Sequence, residues 1–146
     1  MGITCPCGVK VNAIANGVNV KFRWIMGDVK GNLHYVADVC VATLSTSTLS
    51  LQFTDTNPSC RHSFLFTATS FTSVTCKQEG MNCIVTVKGK GTVNGRNYPF
   101  EAIFRDQVAS AANDIVQKFK IAGFFDQTGA VPVPQGSIID LGCQEL

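Results

Sequence analysis

Apolar and polar residues alternate along most of this chain, and turn-forming residues interrupt the alternation about every ten positions. In the segment 18–24, the residues Val18, Val20, Phe22 and Trp24 occupy every second position and would share one face of a strand. The same pattern predicts further strands at 33–44, 49–53, 64–74, 83–93, 98–104, 115–124 and 137–141. The predicted total is about eight to ten strands, the number expected of a β-sandwich or jelly roll.

Turn residues indicate how some of these strands connect. Asn94-Gly95 predicts a two-residue type I′ hairpin, because both positions of that turn need a positive φ, which these residues tolerate best. The segment 106–113 is predicted as a loop that could contain one helical turn. The fold class that follows is all-β: an antiparallel two-sheet sandwich, jelly-roll-like, formed by residues 13–146. Residues 1–12 are predicted to form an extended, cysteine-bearing N-terminal connector.

Composition narrows the classes of partner. Charged residues make up only 15% of the chain, against roughly 25% in an ordinary soluble protein, and a surface poor in charge is weakly defended against association. The net charge of +2 and the scattered lysines and arginines argue against a nucleic-acid partner. No stretch is apolar enough to span a membrane, and residues 1–11 do not have the pattern of a secretion signal.

Cysteine residues give the strongest indication of function. The chain has seven of them: Cys5, Cys7, Cys40, Cys60, Cys76, Cys83 and Cys143. Such a density predicts an oxidising final environment, and an odd number leaves at least one cysteine without an internal partner. Cys5, Cys7 and Cys143 lie near the chain ends, where they could reach a neighbouring molecule, so they are the candidates for intermolecular disulfides.

The remaining four cysteines are the candidates for intramolecular disulfides. Cys76 and Cys83 flank a predicted turn, and they could form a cross-strand disulfide or remain two buried thiols. Cys40 and Cys60 are the other two intramolecular candidates.

Candidates for chemistry are few, and the chain is predicted not to be an enzyme. A dyad of Cys60 and His62 is conceivable, but residues two apart on a strand do not face each other well. One Cys-x-Cys without a second knuckle, with His34 and His62 isolated, predicts no metal site and no cofactor. Trp24 alternates with apolar residues and is predicted to be a core residue rather than a platform for stacking sugars.

Two resemblances add to this interpretation. The stretch 89–95, with Tyr98, Phe100, Asp106, Asp114 and the segment 119–121, resembles the closing hairpin of small β-sandwich domains of bacterial exported proteins. The overall plan of a jelly-roll-like body, a cysteine-bearing amino tail and no export signal is similar to that of the endospore appendage (Ena) subunits of spore-forming bacteria. That resemblance implies that tail cysteines cross-link stacked copies into a fibre, with Cys143 or a body cysteine as the receiver.

The predicted function is therefore a self-assembling structural subunit of an extracellular or spore-surface fibre, with the chain itself as its partner. Strand addition and intermolecular disulfides would join the copies, and the extended segment 130–136 is either the strand donor or a plain linker. The leading alternative is an extracellular binding module, carbohydrate-binding or adhesin-like, with all cysteines but one paired internally. A phage or virion structural protein is the third alternative.

Overall fold

The computed structural model describes residues 5–58, 61–109 and 112–145. The described residues form ten strands: β1 (Cys7–Phe22), β2 (Val29–Cys40), β3 (Thr48–Asp55), β4 (Phe64–Glu79), β5 (Asn82–Val93), β6 (Arg96–Asp106), β7 (Asp114–Ile121), β8 (Phe125–Asp126), β9 (Val131–Val133) and β10 (Ile138–Cys143). A 3₁₀ helix (Val41–Thr46) lies between β2 and β3.

The sheet closes on itself. Each strand from β1 to β7 pairs antiparallel with the next, and β8 pairs with both β7 and β1. The result is an eight-stranded antiparallel barrel, so the all-β class is confirmed and the predicted two-sheet, jelly-roll-like sandwich is wrong. Alternation in sequence shows which residues face inward, and it is the same in a sandwich and in a barrel. The closing contact pairs Lys21 with Asp126, which no local pattern can indicate.

Both terminal segments belong to the barrel. Residues 7–12, assigned above to the N-terminal connector, form the first half of β1 and pair with β2 and β10. After β8 the chain returns along the seam between β7 and β1, where β9 pairs with β7 and β10 with β1. The segment 130–136 therefore contributes β9 to its own sheet.

Several local predictions are confirmed. Asn94 and Gly95 have φ values of 51° and 79° and form the tight turn between β5 and β6. The described part of 107–113 is a loop, in which the backbone N–H of Ala112 donates to the carbonyl of Ala109. Inward-facing residues follow the predicted alternation on the central strands, where Leu51, Phe53, Phe66, Val85, Val87, Ala102 and Phe104 are buried.

Large side chains fill the barrel, and a buried polar network around Gln127 lies among them. Tyr35 Oη donates to Gln127 Oε1 over 2.7 Å, and Gln127 Nε2 donates to the carbonyls of Val116 and Gly129, both at 2.8 Å. This network joins β2 to β7 and to the segment after β8, across the closing seam of the barrel. Burial raises the pKa of the Tyr35 hydroxyl, which therefore stays protonated and able to donate.

Removing the Tyr35 hydroxyl tests this network. We expect Tyr35→Phe to lower the free energy of unfolding by about 1 to 2 kcal/mol, because Gln127 Oε1 would remain buried without its donor. Tyr98, the other tyrosine, is half-buried and makes the matched control: Tyr98→Phe should change stability by less than about 0.5 kcal/mol. Urea denaturation of the two variants provides the comparison, and equal losses would contradict the role of the network.

The two ends of the barrel differ in chemistry. At one end of the barrel β1 and β5 begin, and β2 and β4 end. We call it the disulfide end, because four cysteines lie there: Cys7, Cys40, Cys76 and Cys83. We call the aromatic end the opposite one, where β1 and β7 end and β4 and β6 begin. The aromatic end carries Phe22, Trp24, Phe64, Tyr98 and Phe124.

Candidate functional site

Three disulfides close the disulfide end. Cys5 bonds Cys40, Cys7 bonds Cys76, and Cys83 bonds Cys143, with Cα–Cα distances of 5.9, 5.8 and 6.1 Å. The three cysteines predicted to link neighbouring molecules are thus bonded within their own chain. Neither alternative for Cys76 and Cys83, a bond between them or two buried thiols, is found, because each of these two cysteines bonds a terminal cysteine instead. Cys60 lies outside the described residues.

The terminal cysteines are paired internally because the start of β1 and the end of β10 lie at the disulfide end. β1 and β10 are neighbours there, with Cys7 opposite Cys143 in their register. The Sγ atoms of Cys76, Cys83 and Cys143 all lie within 4.8 Å of one another, so two disulfides are in close contact. Among the described residues this is the one group close enough to hold a metal ion, but its sulfurs are in disulfides and provide no thiolate ligand.

A row of partly exposed aromatic rings lies at the aromatic end. The Trp24 ring packs against Phe124, and the Phe124 ring against Tyr98, with centroid separations of 5.1 and 5.3 Å. The buried Phe22 ring packs against the Trp24 ring, and the Phe64 ring packs against Phe124 with a centroid separation of 4.9 Å. Trp24 is 58% exposed, so its prediction as a core residue is wrong.

Trp24 points outward because it lies beyond the end of β1. β1 ends at Phe22, and the backbone N–H of Arg23 donates to the carbonyl of Phe124 in the turn between β7 and β8. Beyond the end of a strand, alternation no longer decides which face a side chain occupies. The neighbouring Met26 is fully exposed, which extends the apolar surface beyond the rings.

A shallow groove of about 330 Å³ lies beside the row of rings, and cations line it. Its charged lining residues are Lys21, Arg23, Lys120 and Asp126. Phe124, the middle ring of the row formed with Trp24 and Tyr98, also lines it. The three cations are exposed, and among the described residues none of them takes part in an ion pair. Aromatic rings and unpaired cations thus share one surface.

No family model, curated protein or solved structure matches this chain. In the described part of the chain, no helix has the length and apolar character needed to cross a membrane. The case for a function therefore depends on the geometry of the two barrel ends.

Next to the aromatic end, Asp55 organises the loop between β3 and β4. Its buried carboxylate accepts hydrogen bonds from the backbone N–H groups of Asn57, at 2.8 Å, and His62, at 3.3 Å. It also contacts His62 Nδ1 at 2.9 Å. The bond from Asn57 lowers the pKa of the Asp55 carboxyl, burial opposes it, and the contacts with His62 lower the pKa further. The carboxylate holds His62 in place. Of the Cys60 and His62 dyad that the sequence analysis disfavoured, Cys60 lies outside the described residues.

Acid should weaken this loop. Because the folded-state pKa of Asp55 is lowered, its contribution to stability is present above the unfolded pKa and is lost as pH falls through the folded pKa. We expect the free energy of unfolding of the wild type to exceed that of Asp55→Asn by about 1 to 2 kcal/mol at neutral pH. This difference should shrink as pH falls below the ordinary aspartate pKa of about 3.9. Urea denaturation of both proteins at several pH values measures it. A difference that is constant with pH would contradict the assignment.

Proposed function

We propose that this protein is an extracellular binding module that recognises an acidic polysaccharide with the row of rings and the cationic groove at the aromatic end. Recognition, rather than catalysis, is the activity that this surface supports. The observation that carries the proposal is the exposed Trp24 ring next to unpaired cations.

Two features of the surface fit a carbohydrate. Large apolar faces exposed to water are uncommon unless they serve an interaction, and an indole ring offers a flat apolar face on which the C–H groups of a pyranose ring can pack. Unpaired cations near such a face favour a ligand with carboxylate or sulfate groups. Lys21, Arg23 and Lys120 supply those cations.

The disulfides support the same interpretation. Six of the seven cysteines are paired within the chain, as expected of a binding module with all cysteines but one paired internally. Three disulfides suit an oxidising extracellular environment. A closed barrel also hides most strand edges, which reduces the surface for strand addition.

Fluorescence provides a direct test, because Trp24 is the one tryptophan of the chain. Titration with polygalacturonate should shift or quench its emission, and dextran, which is neutral, should have a much smaller effect. Added salt should weaken binding, because exposed charges are screened. An unchanged spectrum across several acidic polysaccharides, with no binding by calorimetry, would rule the proposal out.

A pair of charge reversals on one strand makes the matched control. Lys21→Glu changes the groove at one end of β1, and Lys10→Glu changes an exposed lysine near its other end. Lys21→Glu should weaken binding by about tenfold, equivalent to about 1.4 kcal/mol, and Lys10→Glu should have little effect. Equal effects would show that the net charge, and not the groove, attracts the ligand.

A self-assembling structural subunit, joined by strand addition and intermolecular disulfides, is the second candidate. The observation that favours it is the edge of β4. β3 pairs with β4 only over Phe64–Thr67, and beyond Thr67 β4 has β5 alone as a strand partner. Exposed Val36 and Leu65 line a groove of about 350 Å³ at this seam. A strand of a second copy could add there.

Electrophoresis without reductant separates the two candidates. A ladder of bands that collapses on reduction would support the covalent subunit, and Leu65→Lys should then weaken the association. A single monomer band, with a monomer in sedimentation at high concentration, would exclude it.

A further inference from the structure

We propose that Cys7, Cys76, Cys83 and Cys143 form a thiol–disulfide exchange site. A small thiol entering this site would convert the bonds Cys7–Cys76 and Cys83–Cys143 into Cys76–Cys83 and Cys7–Cys143. The Cys5–Cys40 bond would remain as it is.

The first alternative bond, Cys76–Cys83, lies within the β4–β5 hairpin. Cys76 faces Val85 and Cys83 faces Gln78 in the strand register, so the two cysteines are diagonal neighbours. Both side chains are buried, and their Sγ atoms lie within 4.8 Å of each other. Diagonal neighbours in a sheet are about 7 to 8 Å apart, so a bond between these two sulfurs requires a small movement of the two strands toward each other.

The second alternative bond, Cys7–Cys143, joins β1 to β10. These residues are directly opposite in the register of the two strands. Opposite residues in an antiparallel pair have Cα atoms about 4.5 to 5.5 Å apart, which lies within the range that a disulfide requires. Each of the four cysteines therefore has, besides its present bond partner, a second cysteine as a diagonal or directly opposite neighbour in the strand register.

Exchange needs no oxidant. Cys143 is the most exposed of the four, and an entering thiolate attacks its Sγ, forms a mixed disulfide and expels the Cys83 thiolate. The Cys83 thiolate attacks the adjacent Cys76 Sγ, which forms Cys76–Cys83 and expels the Cys7 thiolate. The Cys7 thiolate attacks Cys143 Sγ, which forms Cys7–Cys143 and releases the original thiolate. Two disulfides are present before and after, and the small thiol is regenerated.

The exchange would alter what the disulfides hold together. The present bonds tie β1 to β4 and β10 to β5, across the disulfide end. The alternative bonds join only strands that are already neighbours in the sheet. The pair β1–β10 would lose its covalent links to the β4–β5 hairpin, so the disulfide end could open while the protein stays fully oxidised.

Two single variants test the site, both in a Cys60→Ser background so that the seventh cysteine supplies no thiol. Cys7→Ser leaves a thiol at Cys76 beside the Cys83–Cys143 bond, and Cys143→Ser leaves a thiol at Cys83 beside Cys7–Cys76. After equilibration with reduced and oxidised glutathione, mass mapping should find Cys76–Cys83 in at least about a tenth of the chains of each variant.

Cys5→Ser is the matched control, because it leaves a thiol at Cys40, which is not one of the four cysteines of the proposed site. Its map should contain no bond between Cys40 and any of Cys7, Cys76, Cys83 and Cys143. The proposal is overturned when Cys76 in the first variant and Cys83 in the second are recovered only as free thiols. If a variant does not fold, the disulfides of the Cys60→Ser parent are mapped after equilibration with a trace of glutathione. Finding Cys76–Cys83 and Cys7–Cys143 together supports the site, and finding only the three original bonds refutes it.

Discussion

Asp114→Ala is expected to lower the free energy of unfolding by about 4 kcal/mol, because it would leave three backbone N–H groups without an acceptor, each worth about 1 to 3 kcal/mol. Asp114 is completely buried at the start of β7. Its Oδ1 accepts from the N–H of Gln107 at 2.9 Å, and its Oδ2 from the N–H groups of Gly136 and Ile138 at 2.8 and 3.0 Å. One carboxylate thus holds together the β6–β7 loop and the segment that leads into β10.

An exposed aspartate gives the control for this prediction. Asp38 lies on the outer face of β2, and Asp38→Ala should change stability by less than about 0.5 kcal/mol. Guanidinium denaturation measures both variants, and circular dichroism should show that each keeps its strand content. A loss below about 1 kcal/mol for Asp114→Ala would mean that water replaces the carboxylate at these N–H groups.

Asp114 also shows which contacts cannot be predicted from a sequence of this kind. It precedes an apolar strand and looks like an ordinary turn residue, since aspartate is common there. Two of its three partners lie more than twenty residues further along the chain. Alternation within a strand indicates which residues are buried, but it gives no information on contacts between distant segments.

The strands themselves were predictable for a physical reason. Each has one face toward the packed interior and one toward water. Leu49, Leu51 and Phe53 therefore occupy alternate positions of β3, as inward-facing residues do in any antiparallel sheet. The barrel was not predictable in this way, because its closure depends on β8, a strand of only two residues. The inward assignment of Trp24 was wrong because the strand ends two residues earlier.

Cysteines illustrate the same limit at the candidate sites. Sequence position near the chain ends suggested that Cys5, Cys7 and Cys143 are free to reach other molecules. In the structure β1 begins at Cys7 and β10 ends at Cys143, so both cysteines lie in strands of the sheet and meet partners in the body. Proximity to a terminus predicts exposure only when the terminus is not part of the fold.

Removal of the Cys7–Cys76 bond should have an effect as large as the loss of Asp114. The bond links residues 69 positions apart, and closing a loop of that size in the unfolded chain stabilises a protein by about 4 kcal/mol in the chain-entropy treatment. We expect the double variant Cys7→Ala/Cys76→Ala to lose about this much in guanidinium denaturation. Replacing both partners leaves no new thiol for exchange.

The variant Cys5→Ala/Cys40→Ala provides the comparison: its bond spans 35 positions, and the same treatment gives a loss of similar size, about 4 kcal/mol. Native-state emission of Trp24 should be unchanged in both double variants, because Trp24 lies at the opposite end of the barrel from these bonds. A loss below about 1 kcal/mol for the Cys7 and Cys76 pair would contradict the expectation, since the barrel would then hold the start of β1 against β4 without a covalent link. An altered Trp24 spectrum in the native state would show instead that the two ends are coupled, so that a change of bonding at one end could affect binding at the other.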